Sequence, residues 1–193
     1  MKLTEEYWNN CYQNNDTGWD LGKISTPIEA YFSQLNNKEL SILIPGGGNS
    51  HEAEYIFCKG FKNVFVVDIS PFAISNIKSR VPNFPVNQLF NENFFKLNGT
   101  FDLIVEQTFF CAIDKNLRSA YAKKVAELLN SKGKLVGLLF DAPLNEDHPP
   151  YGGTIKEYIG YFEPYFDIEI IAPCYNSIEP RSGREIWVKM IKK

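Results

Sequence analysis

The chain reads as an α/β fold on a mostly parallel seven-stranded sheet with an antiparallel C-terminal edge strand, and three observations lead there. Short apolar or β-branched runs alternate with helix-length periodic segments from Leu40 to Phe162, a pattern that implies right-handed strand-helix-strand crossovers. The last two runs, Phe166–Ala172 and Glu185–Ile191, have no helix-length pattern between them and should pair antiparallel. With 193 residues, 44% hydrophobic and 15% aromatic, the chain suits a single domain over residues 1–193 with ample core.

Residues 1–37 form an N-terminal arm and helix. The arm is aromatic and turn-rich, carrying Tyr7, Trp8, Tyr12 and Trp19. Thr26-Pro27-Ile28-Glu29 has the form of a capping box with proline at the first helical position, so a helix is expected to run to about Asn37. Leu40–Pro45 is an apolar strand stopped by Gly46-Gly47-Gly48, after which Ser50 should cap a helix ending at Gly60. Asn63–Asp68 is a β-branched strand, and Ser70-Pro71 starts a helix that Pro82 must end.

Phe84–Leu89 is a weaker strand and Phe101–Val105 a good one. Asp114 is expected to cap a helix whose Leu117, Ala120, Tyr121, Val125, Leu128 and Leu129 share one face before Gly133 closes it. Lys134–Phe140 reads as a buried central strand, and a proline-rich loop, 143–153, leads to a helix near Thr154–Phe162.

Composition narrows the function. Twenty basic and 23 acidic residues give a net charge of −3 without a block of either sign, which disfavours nucleic acid and favours small molecules as partners. The start lacks the apolar core of a signal peptide and no stretch approaches a bilayer span, so the expectation is a cytoplasmic protein, monomeric and not membrane-bound. Cys11, Cys58, Cys111 and Cys174 form no CxxC pair and have only His51 and His148 as imidazole companions, so they read as reduced thiols without a metal.

Gly46-Gly47-Gly48 stands between a strand and a helix, and Asp68 follows 20 residues after Gly48 at the end of the second strand. Glycines in that position let backbone approach a ligand, and the carboxylate can accept from ribose hydroxyls. Alone, such glycines also suit an ordinary tight turn; the paired spacing is what favours a nucleoside site. A nicotinamide dinucleotide would call for a third glycine at position 51, where His51 stands. S-adenosylmethionine is the better fit.

Several stretches together resemble the thiol, thiocyanate and halide methyltransferases, relatives of thiopurine S-methyltransferase. They are Trp8 with Tyr12; Trp19-Asp20-Leu21-Gly22 with Thr26-Pro27; Ile44-Pro45-Gly46-Gly47-Gly48; Val67-Asp68-Ile69-Ser70; Glu106-Gln107-Thr108-Phe109-Phe110-Cys111-Ala112; Pro149-Pro150-Tyr151; and Pro180-Arg181-Ser182-Gly183-Arg184-Glu185. The resemblance implies a Rossmann-like methyltransferase sandwich using S-adenosylmethionine. It also implies that Trp8, Tyr12 and Trp19 close over the cofactor, that Gly46 and Gly48 approach its methionine part, and that Asp68 with Ile69 holds the ribose side. Asn93 and Phe94 would flank the adenine, and Gln107 would line the methionine side. The family's usual pattern has tryptophan at the position of Tyr12, cysteine at one central glycine, aspartate at Asn93 and tyrosine at Gln107.

Methyl transfer from a sulfonium is an in-line displacement, so an acceptor that arrives ionised needs no strong base; orientation and loss of water suffice. The resemblance places Arg181 and Arg184 near the closing hairpin as anion-attracting candidates. Tyr151 could touch the acceptor or pack its loop, and Glu106 could face the cofactor or act as base toward a neutral thiol. His148-Pro149-Pro150-Tyr151 looks superficially like an amino-group methyltransferase motif, but it follows the fifth strand and begins with histidine. A heterocyclic thiol of the thiopurine kind, an oxygen acid and a non-catalytic cofactor-binding role stay open as alternatives.

Overall fold

The computed structural model describes residues 2–193; Met1 of the expected arm lies outside the described residues. Its seven strands form one mixed, mostly parallel sheet, and the chain divides into two compact units, residues 2–97 and 98–193.

In the first unit, α1 (Glu5–Gln13) is followed by α2 (Thr26–Ser33), β1 (Ser41–Pro45), α3 (His51–Cys58), β2 (Asn63–Asp68), α4 (Pro71–Arg80) and a short β3 (Leu89–Asn91). The strands lie in the order β3-β2-β1, with β1 and β2 parallel from Ser41 opposite Asn63 to Pro45 opposite Val67. Ile42, Leu43, Ile44, Val64, Val66 and Val67 are buried, as expected for strands covered on both faces. The turns after β1 and after β2 therefore emerge at the same carboxyl edge.

The second unit contains β4 (Phe101–Gln107), α5 (Arg118–Leu128), β5 (Leu129–Phe140), α6 (Ile155–Phe162), β6 (Phe166–Pro173) and β7 (Glu185–Lys192), its strands in the order β4-β5-β7-β6. β7 runs antiparallel to both β5 and β6, so the C-terminal strand is the antiparallel one, inserted between β5 and β6. Gly137 of β5 has φ +150°, and a Cβ there would lie 2.0 Å from the backbone oxygen of Glu106; only glycine permits this approach to β4. Phe110, Tyr121, Tyr158, Phe162 and Phe166 form a buried aromatic cluster, in which truncating Phe162 to alanine would cost about 3–5 kcal/mol.

Several boundaries differ from expectation for identifiable reasons. The arm contains α1, whose N-cap Thr4 accepts from the Tyr7 N–H. α2 stops at Ser33 and its N-cap is Ser25, with Thr26 already helical, so the expected capping box does not form. Ser50 sits at φ 59° and caps nothing with its side chain, because it completes the glycine turn. The strand expected at Phe84–Leu89 lies at Leu89–Asn91, displaced by a 3-10 turn at Val86–Gln88 that follows Pro85. Asp114 caps a 3-10 turn, Lys115–Leu117, leaving Leu117 and Ala120 exposed. β5 begins at Leu129 rather than Lys134.

Candidate active site

In the first unit, the chain leaves β1 through Gly46 at φ 56°, and Gly48 (φ 55°) and Ser50 (φ 59°) are left-handed too. The N–H groups of Gly46 and Gly47 donate to the Val67 carbonyl at 2.8 and 3.4 Å, tying the turn to the end of β2. A Cβ on Gly47 would lie 2.5 Å from Val66 Cγ1, so packing requires glycine there, as torsion favours it at Gly46 and Gly48.

Asp68 closes the second side. Its Oδ2 accepts the Gly48 N–H at 2.9 Å and its Oδ1 the Ser70 N–H at 2.8 Å. Burial pushes the carboxyl above its usual range while these two N–H groups pull it back. The two backbone bonds fix the plane of a half-buried carboxylate at the strand end, each oxygen retaining acceptor capacity for hydroxyl donors.

The arm brings its aromatic side chains together. Trp19 meets Trp8 and Tyr12 edge to face, with centroids 5.5 and 5.8 Å apart. The Tyr12 hydroxyl is hydrogen-bonded by Trp19, and burial together with Asp68 and Asp20 pushes its pKa up. A Cβ built on Gly48 would meet the Tyr12 hydroxyl at 3.5 Å and Trp19 Nε1 at 3.6 Å, which places these aromatic edges directly over the glycine turn. α1 is anchored by a 2.7 Å bond from Ser70 Oγ to Asn9 Oδ1.

Asn93 is half-buried and caps a 3-10 turn by accepting the Phe95 N–H at 2.9 Å, with Phe94 buried behind it. Its amide nitrogen is therefore the end left to recognise a ligand. Ile69 is half-buried, its carbonyl taken by Asn91 Nδ2 at 2.9 Å.

In the second unit, Gln107 ends β4 half-buried. Glu106 is sealed at 1% exposure: Oε1 accepts the N–H groups of Phe109 and Phe110 at 2.8 Å each, and Oε2 accepts the Tyr121 hydroxyl. Burial lifts its carboxyl to about 7 against the pull of these donors. Cys111 is buried against the Thr108 carbonyl, its thiol pushed up to about 12 by burial.

Tyr151 is buried, with a cis peptide bond between Pro149 and Pro150 before it, and its N–H donates to the Cys111 carbonyl at 2.7 Å. Arg118 holds the same loop: Nη1 donates to the Gly152 carbonyl at 2.9 Å and Nη2 to the Tyr151 carbonyl at 3.2 Å, with the guanidinium over the Phe110 ring. Arg181 is buried and paired with buried Glu185 at 3.5 Å, whereas Arg184 is exposed and turned back on the Pro180 carbonyl. The two arginines expected to act alike thus have different environments.

Sequence reasoning gives no site role to Arg118, Tyr121, Asp20, Asn49 or His51. Arg118 stands at i, with buried Tyr121, Ala122 and Val125 at i+3, i+4 and i+7; a cation on the apolar face of a helix is the signal that would have found it. No group of three or more metal-ligating side chains is placed to hold a metal among the described residues, and none of their helices is long and apolar enough to cross a membrane.

The family model for thiopurine S-methyltransferase (TPMT) matches residues 3–191. The chain belongs to the thiopurine S-methyltransferase family. Among its relatives, it is 30% identical over 192 residues to thiocyanate methyltransferase 1 of Brassica oleracea, covering 95% of this chain and 83% of that one. It is 24% identical to a thiopurine S-methyltransferase of Vibrio campbellii, covering 83% and 82%. Its fold matches a Burkholderia thailandensis 1,6-didemethyltoxoflavin-N1-methyltransferase with bound S-adenosylhomocysteine at a TM-score of 0.77 and 14% identity, covering 99% and 88%. The magnesium protoporphyrin IX methyltransferase of Synechocystis PCC 6803 matches at 0.75 and 12% identity, covering 100% and 98%. As a member of this methyltransferase family the protein uses S-adenosylmethionine. The turn and arm suit it, because the glycine turn brings its backbone, the Asp68 carboxylate and two aromatic edges together at one place, a combination matched to a ribose and a sulfonium.

Proposed function

We propose that this protein methylates a small soft nucleophile, a thiol, hydrosulfide, thiocyanate or halide, acting as a cytoplasmic monomer. The observation that carries the reading is the engagement of Glu106: a carboxylate whose oxygens already take three hydrogen bonds inside the protein is poorly placed to take a proton from an acceptor, which favours acceptors already ionised. Similarity to proteins described as thiocyanate methyltransferase 1 of Brassica oleracea and probable thiol methyltransferase 2 of Arabidopsis thaliana supports the same class. The four free cysteines suit a reducing compartment.

Within this reading Asp68 and Ile69 bind the ribose side, Asn93 and Phe94 flank the adenine, and Gly46, Gly48 and Gln107 face the methionine part. Trp8, Tyr12 and Trp19 exclude water and present aromatic surface to the positive sulfur. When bound, S-adenosylmethionine supplies an electrophilic methyl group. The acceptor's lone pair forms the new bond to that carbon, and the electrons of the broken C–S bond remain on sulfur, leaving S-adenosylhomocysteine.

Arg184, exposed on its loop, draws the anion in. Arg181 and Tyr151 shape the acceptor side from buried positions, and Glu106 acts by fixing the Phe109–Phe110 backbone. Purified protein should be incubated with S-adenosylmethionine and, separately, iodide, thiocyanate, hydrosulfide and a thiopurine, with methylated products and S-adenosylhomocysteine quantified. Turnover with the small anions or hydrosulfide is expected. Turnover with the thiopurine alone would replace this reading by the heterocyclic one that the Vibrio relative exemplifies, and cofactor binding without any product would point to a non-catalytic role.

A further inference from the structure

The segment from Asn14 to Ser25 carries Trp19 with neither helix nor strand to hold it. Ordering a dozen such residues costs on the order of 10 kcal/mol, whereas the two edge-to-face contacts of Trp19 contribute about 0.5–1.5 kcal/mol each. Something else in the first unit must fix this segment, and Asp20 is placed to do so.

Two donors and an imidazole converge on the Asp20 carboxylate. Oδ1 accepts the Gly22 N–H at 2.8 Å and lies 3.0 Å from His51 Nε2, and Oδ2 accepts the Asn49 amide. Asn49 is itself held from behind. Its Oδ1 accepts Asn76 Nδ2 of α4 at 2.7 Å, and its backbone carbonyl accepts the Arg80 guanidinium, whose Nε is fixed by Glu54 Oε2 at 2.8 Å. Burial would raise the Asp20 carboxyl, but Gly22, Asn49 and His51 outweigh it and hold it below the usual carboxylate range.

We infer that Asp20 is a positioning residue that latches the Trp19 loop onto the glycine turn through Asn49 and His51, setting the indole over Gly48 before any ligand binds. The inference rests on reading that turn as the cofactor site. An aspartate suits the position because it is all acceptor; an asparagine would turn its own NH2 against one of these donors. Ordering the arm in advance removes that cost from cofactor binding, so loss of the latch should appear in affinity more than in the chemical step.

The test compares full-length wild type with Asp20→Asn, Asp20→Ala and Asn49→Ala. Two readouts do not depend on turnover: tryptic cleavage after the exposed Lys23 in cofactor-free protein, and calorimetric titration with S-adenosylhomocysteine. In Asp20→Ala, cleavage should quicken and the dissociation constant rise by about tenfold or more, as loss of one charge-assisted bond would give. KM for S-adenosylmethionine should rise with kcat within about threefold, the pattern of lost uniform binding. Asp20→Asn should fall between, and Asp20→Ala combined with Asn49→Ala should add little to either single change.

Unchanged cleavage and affinity in Asp20→Ala would overturn the latch. If that variant loses its far-ultraviolet dichroism, Asp20→Asn and Asn49→Ala decide in its place by the same criteria. A wild type that binds no S-adenosylhomocysteine would overturn the cofactor assignment, while cleavage after Lys23 separately decides whether Asp20 holds the arm.

Discussion

Glu106 accepts a hydrogen bond from the Tyr121 hydroxyl with both side chains sealed in the second unit, at 1% and 0% exposure. The carboxyl is lifted to about 7, so the folded protein keeps a proton there that the unfolded chain releases near pH 4.5. Stability contributed by that proton is present below about 4.5 and lost as pH rises to about 7, by at most about 3 kcal/mol. Glu106→Gln keeps an oxygen acceptor for the Phe109 and Phe110 N–H groups and, like the protonated acid, turns a donor toward the Tyr121 oxygen, reversing that bond without titrating. Denaturant unfolding at pH 5, 6, 7 and 8 should show wild type losing stability relative to Glu106→Gln as pH rises; a constant difference would mean that the carboxylate is ionised throughout.

Arg118 joins the first turn of α5 to the carbonyls of Tyr151 and Gly152. Arg118→Met keeps much of the packing over Phe110 but orphans both carbonyls, at about 2–4 kcal/mol. Hydrogen exchange should accelerate at residues 149–153 well before the rest of the unit, and kcat/KM should fall with it. Arg118→Lys reaches only one carbonyl and should recover part of both effects. Uniform exchange across the unit would show that the loop holds its place without Arg118.

Much of this was legible in the sequence, and the exceptions are physical. β2 is found at its expected bounds, Asn63–Asp68, because a β-branched run between a lysine and a Ser-Pro helix start has one reading. α1 was hidden by its aromatic and amide residues, although Thr4 followed by Glu5 and Glu6 is a helix start. Ser50 was read as a cap, but a turn with three left-handed residues turns the Ser50 hydroxyl back to the Gly48 carbonyl at 3.3 Å. Asp68, Gly48, Trp19 and Tyr12, proposed to line the cofactor site, do gather. What sequence could not give was pairing at long separation: Asp20 with Asn49, Arg118 with residues 151 and 152, and the division of Arg181 from Arg184.

That division predicts opposite phenotypes for two arginines three residues apart. Arg181→Ala leaves Glu185 buried without its paired cation and should cost about 3–5 kcal/mol. Arg184→Ala removes an exposed side chain and should leave stability within about 0.5 kcal/mol. If Arg184 draws in the acceptor, its loss raises KM for thiocyanate at low ionic strength and matters less at high salt, where exposed charges are screened. A KM for thiocyanate that Arg184→Ala leaves unchanged at every salt concentration would remove Arg184 from the acceptor's path.

Gly48→Ala separates backbone strain from site geometry. The residue has φ +55°, so alanine costs about 1–2 kcal/mol. Its Cβ meets the Tyr12 hydroxyl and Trp19 Nε1 at 3.5 and 3.6 Å, which are ordinary contacts, so the ligand-free fold should survive with Tm lower by a few degrees. Gly60→Ala is the matched control: φ +87°, with nothing within 4 Å of the added carbon, it carries comparable strain away from the turn. Both variants should lose similar stability. Only Gly48→Ala should weaken S-adenosylhomocysteine, because its methyl group presses on the Tyr12 and Trp19 edges beside the Asp68 carboxylate, where the proposed cofactor site lies. Equal affinities in the two variants would mean that Gly48 serves the turn alone, and the ligand would then have to lie against Gly46 instead.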